Sequence, residues 1–173
     1  MIDILSPISI CPPFDLSGVV PGPALPAPFA HAVRARLEGD AMLMGALEGG
    51  LWWREAPARR PGRGWPFGVF LIPADRFSDV STRGDYLREG ILQVSIFGPS
   101  QDIARRIADR AAGILVDADA RGLLAFAGGR LLYLRPSNPA SSSRPERGPG
   151  GAITWQEVRQ LSLIYQGNYS MGV

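Results

Sequence analysis

The spacing of hydrophobic positions changes several times along the chain, and each change marks a predicted element. From Pro28, the apolar residues Phe29, Ala30, Val33 and Leu37 recur at the helical period, with Arg34 and Arg36 beside them, which predicts an amphipathic helix. Gly39 interrupts it, Asp40 is placed to cap a second short helix over "AMLMGALE", and Gly49-Gly50 ends that element. "LWWREAPARRPGRGWP" reads as a loop, dense in Pro, Gly and Arg between bulky aromatics. "FGVFLIP" (67–73) predicts a short buried strand, and "ADRFSDVSTRGD" a connecting loop rich in turn formers.

Residues 86–97 predict a second strand. Leu92, Val94 and Ile96 make one apolar face; Glu89, Gln93 and Ser95 lie on the other, together with Ile91 and Phe97, so that other face is not simply a wet surface. Ser100 is a good N-cap for the helix that follows, and Asp102 suits the positive end of its dipole. Ile103, Ile107, Ala111 and Ile114 form the predicted buried stripe, with Arg105, Arg106 and Asp109 pointing away. Asp102 and Arg106 are spaced as a favourable helical ion pair worth about 0.3 kcal/mol. The whole strand-to-helix unit is well specified, yet it carries no nucleophile, metal ligand or phosphate loop.

Beyond it, "GLLAFAGGRLLYLRP" predicts two short strands around Gly128-Gly129, the second over Arg130–Arg135. "PSNPASSSRPERGPGG" (136–151) reads as a flexible, low-complexity loop. A last strand, about Ile153–Gln166, alternates Trp155, Leu161, Leu163 and Tyr165 against Val158, Ile164 and polar partners. Residues 1–27 hold six prolines from Pro7 to Pro26 and few charges, but also Ile2, Ile4, Leu5, Ile8, Ile10 and Phe14. They read as an extended arm that packs on its own domain or on a neighbour. The expected organisation is that arm followed by a single domain over 28–173, with no internal repeat.

Composition narrows the function. At 173 residues and 46% hydrophobic, the chain suits one globular domain with a real core. No apolar run approaches the roughly 18 residues that span a bilayer, so no membrane association is expected. The first residues lack a basic segment and are broken by prolines, unlike a signal peptide, and cytoplasmic residence is expected. The single cysteine, Cys11, excludes an intramolecular disulfide framework and a multi-cysteine zinc site. A formal charge of +2 is too small to argue for nucleic acid by itself. All 18 basic residues are arginine, as GC-rich coding or interface use would each give.

Candidate chemistry is sparse. His31, the only histidine, falls on the solvated side of the first helix without a partner, and Cys11 has no nearby base. Asp75, Asp79 and Asp85, like Asp117 and Asp119, lack calcium-loop spacing and read as turn or surface acids. No phosphate-binding or nucleophile motif is present, and the absence of lysine excludes a Walker A lysine. No catalytic, cofactor or metal residues are therefore expected, and the chain is not expected to be an enzyme. Trp52, Trp53 and Trp65 interleaved with Arg54, Arg59, Arg60 and Arg63 offer an alternative, a small single-strand nucleic-acid module; the same residues also suit a loop anchored by tryptophans with solvated arginines.

An interface accounts better for the apolar arm, the two-faced strand and the 136–151 insertion, because oligomers bury surfaces that a monomer keeps polar. The candidate interface residues are Ile91, Gln93 and Phe97 on the strand, Trp52, Trp53, Arg59, Arg60 and Arg63 in the aromatic loop, and Arg144 and Arg147 in the insertion.

The order of elements over residues 28–166 resembles the tail-terminator (tail-completion) proteins of tailed bacteriophages. The likeness is carried by a strand ending in "FLIP", then "YLREGILQVSIFGPS" feeding "QDIARRIADRAAGIL", in which Ala104, Ile107, Ala108, Asp109 and Leu115 match the family's helix pattern. The resemblance implies an α+β domain, a mainly antiparallel sheet of about four to five strands with helices packed on one face. It further implies a structural virion protein of the neck: a hexameric, homo-oligomeric ring that caps the tail tube, joins it to the head connector and lets DNA pass, assembled in the host cytoplasm. A head-closure or other neck component of similar build is the near alternative. The arm is longer and the insertion more extended than the family pattern.

Overall fold

A computed structural model describes residues 27–57, 64–78, 85–126, 129–137, 142–147 and 153–168. The arm over 1–26 and the arginines at 59, 60 and 63 lie outside the described residues. The elements run α1 (Ala27–Glu38), α2 (Ala41–Ala46), β1 (Leu51–Trp53), β2 (Phe67–Ser78), β3 (Asp85–Gly98), α3 (Gln101–Ala120), β4 (Ala125–Phe126), β5 (Gly129–Pro136), β6 (Ser142–Arg147) and β7 (Ile153–Asn168).

The α+β class holds, but the sheet differs from the expected four to five mainly antiparallel strands. It is mixed and seven-stranded, in the order β1-β2-β3-β7-β5-β4, with β6 also on β7. β1 runs parallel to β2, Leu51 opposite Gly68 and Trp53 opposite Phe70. A parallel neighbour needs a crossover of about a dozen residues, and "REAPARRPGRGWP" supplies that length between Trp53 and Phe67. The segment read as one loop therefore begins as a strand.

Two further boundaries move. The loop expected from Ala74 starts instead as a continuation of β2, with a register shift between Leu71 and Ala74. Pro73 falls inside that irregularity, where a strand tolerates a residue without an N–H. The expected flexible loop at 136–151 contains β6, which pairs from Ser142 opposite Val158 to Arg147 opposite Ile153. β7 outruns β5, whose ladder stops at Pro136 opposite Leu161, and β6 takes up the remaining backbone groups. Pro145 on this outlying strand is the usual place for proline in a sheet.

The helices lie on one face of the sheet, over Leu92, Val94 and Ile96 of β3, Leu161 and Leu163 of β7, Phe70 of β2 and Leu134 of β5. α1 enters the core as predicted, with Phe29, Val33 and Leu37 fully buried, and Phe29 stacks on Tyr165 at 5.8 Å. Asp40 caps α2 by accepting from the Leu43 N–H at 2.7 Å, and Ser100 caps α3 by accepting from Ile103 at 3.4 Å.

The stripe on α3 is a correction. Ala104, Ile107, Ala108, Ala111, Leu115 and Ala118 are buried, while Ile103 and Ile114 are only partly so. Small residues at the centre let the helix sit close: a side chain at Gly98 would come within 3.3 Å of the Ala104 Cβ. The larger isoleucines fill the flanks. Arg106 also departs from expectation, its Nε donating to the carbonyl of Asp102 at 3.3 Å and not to the carboxylate.

Candidate functional site

β3 brings Ile91, Gln93, Ser95 and Phe97 to the face of the sheet opposite the helices, because successive side chains alternate across a strand. Register places them in rows. Phe67, Phe97, Gln156 and Arg144 form one row; Trp52, Val69, Ser95 and Val158 the next; Leu71, Gln93 and Gln160 a third. The β2 side of these rows is apolar, and the β7–β6 side is mostly polar, with Gln156, Gln160 and Arg144 beside Val158.

The contacts keep that division. Phe67 and Phe97 stack with centroids 4.7 Å apart, and Trp65 leans on Phe67 at 4.9 Å. Gln93 donates to the Ser95 hydroxyl at 3.0 Å, Gln160 reaches the Gln93 carbonyl oxygen at 3.5 Å, and Arg144 donates to the Gln156 carbonyl oxygen at 2.7 Å. Ile91, Gln93 and Phe97 are half-buried with no described helix above them. Among the described side chains on this face, Glu89 and Arg144 are charged, and Phe67, Val69, Ser95, Gln156 and Val158 are buried in it.

Of the predicted site residues, Ile91, Gln93, Phe97, Trp52 and Arg144 therefore share one surface. Trp53 does not: it turns to the helix side, packs on Phe70 at 5.0 Å and carries Arg54 over its ring at 5.8 Å. Trp52 is held separately, its Nε1 donating to the Gly49 carbonyl at 2.9 Å. The tryptophans thus do not make one stacking platform. Arg147 stands in register with Ile153 at the end of β6. Trp65, set beside Phe67, extends the apolar side.

Cys11, Asp79 and the side chains of Asp75 and Asp85 lie outside what is described; the other candidate groups are used structurally or stay apart. Asp117 and Asp119 pair with Arg121 at 2.9 Å and Arg135 at 2.8 Å. His31 is exposed on α1. No cluster of three His, Cys, Asp or Glu side chains that would hold a metal occurs among the described residues.

Two ion pairs fasten the helix layer, and a third lies within β7. Arg110 chelates both oxygens of Asp40, at 2.9 and 2.8 Å, joining α3 to the cap of α2. That guanidinium, followed by the Leu43 N–H, holds the Asp40 carboxyl below its ordinary range, and Asp40 in turn raises Arg110. Arg159 donates to Asp109 at 2.7 Å and to Glu157 at 3.1 Å. Burial works to lower this guanidinium, and the bonds to Asp109 and Glu157 overcome it, so its net shift is upward.

A second feature escaped sequence reasoning. Between α2 and the first turns of α3 lies a groove of about 750 Å³, mostly apolar, lined by Met42, Trp65, Pro66, Pro99 and Ile103, with Arg106 at its rim. Met42 is 70% exposed there. The short α2, with two methionines and a glycine in six residues, is the only local signal of it.

No family model and no curated protein matches the chain. Among solved structures it is similar to a chain from the virion of a native gene transfer agent particle, with a TM-score of 0.48 and 18% identity, covering 80% of this chain and 91% of that one.

Proposed function

We propose that this chain is a structural subunit of a phage-like virion, and specifically a tail-terminator subunit that forms a homo-oligomeric ring of six copies. In that reading the ring caps the tail tube, meets the head connector on its other side and leaves a channel for DNA; the chain itself needs no catalytic group or cofactor. The single observation that carries the proposal is the two-faced strand β3, whose Ile91, Gln93 and Phe97 are half-buried on the side away from the described helices. It belongs to the strand-to-helix unit on which the tail-terminator resemblance rests, and a repeated subunit would cover it. The low-similarity gene transfer agent chain is no part of the support.

The test is assembly of the purified full chain, followed by sedimentation across a concentration series and by negative-stain imaging. A ring, with mass rising towards six copies as concentration increases, is the expected result. A strict monomer at high micromolar concentration that is also absent from assembled particles would overturn it. A nucleic-acid module has less behind it, since Trp53 is packed against Phe70 and Trp52 faces the other side.

A further inference from the structure

We infer that the groove between α2 and α3 is a two-fold contact between copies of this chain, in which each copy's Met42 fills the other's groove. The two ends of the groove differ. α2 starts at Asp40, clasped to Arg110, and is followed by Gly49, whose N–H donates to the Pro66 carbonyl at 2.8 Å. α3 runs the opposite way. Phe67 stands opposite Phe97, so Pro66 and Pro99 flank the start of α3, whereas Arg110 lies roughly two and a half turns along it. One end of the groove therefore holds Met42 and Arg106, and the other Glu48, Trp65 and Pro66.

A two-fold axis across the groove turns one end onto the other. Met42, 70% exposed on its own subunit, then lies on the partner copy's tryptophan and prolines, an aromatic contact that a thioether favours. The rim charges follow the same rule. Glu48 and Arg106 form no ion pair with each other, and neither pairs with an opposite charge among the described residues. Across the axis, the glutamate of each copy faces the arginine of the other, so the pair is made twice. Arg110 plays no part, being already held by Asp40. An apolar floor rimmed by one unpaired acid and one unpaired base complements itself, and a second copy is the occupant that fits it.

Gly45 supplies the room. It shares the exposed side of α2 with Met42, three residues away, and a side chain added there meets nothing within 4 Å. Glycine inside a helix is less stable than alanine, and no contact within the subunit requires it. At the centre of a two-fold contact it lets two α2 helices approach closely. The inference does not rest on the ring reading, which uses the other face of the sheet; a two-fold here joins free subunits or two rings alike.

In the full chain carrying Cys11→Ser, Gly45→Cys provides the test. A residue meets its own copy only near a two-fold axis, and a disulfide needs Cα atoms within about 7 Å. Gly113→Cys on α3, exposed and equally open, gives the rate of chance encounter. Under mild oxidation, Gly45→Cys is expected to yield a disulfide-linked pair of chains at least tenfold faster than Gly113→Cys. Equal rates, or no linked pair, overturn the contact.

Glu48→Arg or Arg106→Glu, each added to Gly45→Cys, should slow linkage at least fivefold, because each sets like charges together twice. Both reversals in one chain should restore the original rate. Single reversals without effect, or a double reversal as slow as the singles, overturn the self-complementary seating.

Discussion

The two faces of the sheet are built from alternate residues of the same strands and are finished differently. On one, Leu92, Val94, Ile96, Leu161 and Leu163 are at most 1% exposed beneath the helices. On the other, Ile91, Gln93 and Phe97 stay half-buried, tied by stacking and by amide bonds. One β-strand therefore serves two ends: its even positions hold the core together, and its odd positions are the ones proposed to meet a partner. Neither face is the polar exterior that an isolated antiparallel sheet normally shows to water.

The largest effect that tests this division belongs to the covered face. Leu92→Ala should cost about 3 kcal/mol in urea unfolding, because a fully buried leucine leaves a cavity in a tight core. A loss below about 1 kcal/mol would place the core elsewhere. Next comes the charged end of the same face. Arg159→Met strips the cation from Glu157, which is 2% exposed, and should cost about 2 kcal/mol, discounted because Asp109 is largely in solvent. Adding Glu157→Gln should recover most of that loss, which distinguishes a stranded charge from lost packing.

The face away from the helices should respond in association. Ile91→Gln with Phe97→Gln is expected to raise the subunit dissociation constant at least tenfold, about 1.4 kcal/mol, while the monomer's urea midpoint moves far less than for Leu92→Ala. If the monomer unfolds instead, both faces are its own core and the contrast fails.

The smallest effect lies in the helix cover. Asp40→Ala removes the α2 cap and the clasp to Arg110, and should cost about 1 kcal/mol at neutral pH. Its carboxyl is depressed in the folded state, so its contribution is present above the ordinary aspartate value of 3.8 and is lost as pH falls through the lower folded value. The stability gap between the wild-type chain and Asp40→Ala should therefore narrow in acid, as urea titrations at stepped pH would show.

How much of this was legible in the sequence depended on what each residue's role left in the pattern. β3, α3, the caps at Asp40 and Ser100, and the separation of Leu92, Val94 and Ile96 from Ile91, Gln93 and Phe97 follow from periodicity and capping chemistry. β6 was invisible because it contributes backbone pairing and no apolar side chains: "SSRPER" has the composition of a loop. β1 has three residues and a parallel neighbour, too short for any period to register. The middle of the α3 stripe, Ile107 and Ala111, was legible, but its ends were placed one position early because hydrophobic weight favours Ile103 and Ile114, whereas Ala104 and Leu115 are the buried ones and close approach to Gly98 favours alanine. The division of Trp52 from Trp53 needed the knowledge that they share a strand. The groove arises from three segments meeting in space, and its residues are spread from Met42 to Arg110.

β7 pairs with β3 along one side and with β5 and β6 along the other. It is also the last described strand to leave the ribosome. β3 is complete at Gly98, and its principal partner begins at Ile153. At about 5–20 residues per second, the intervening 55 or so residues keep an apolar strand edge waiting for roughly 3–11 seconds of synthesis. Through that interval β3 has only β2 beside it, an unpaired edge of the kind that recruits strands from other chains. The nascent subunit is thus exposed to premature association along the same strand whose odd-numbered face is proposed to meet its neighbours. On that proposal, timing during translation, as much as surface complementarity, decides whether those neighbours meet a finished sheet.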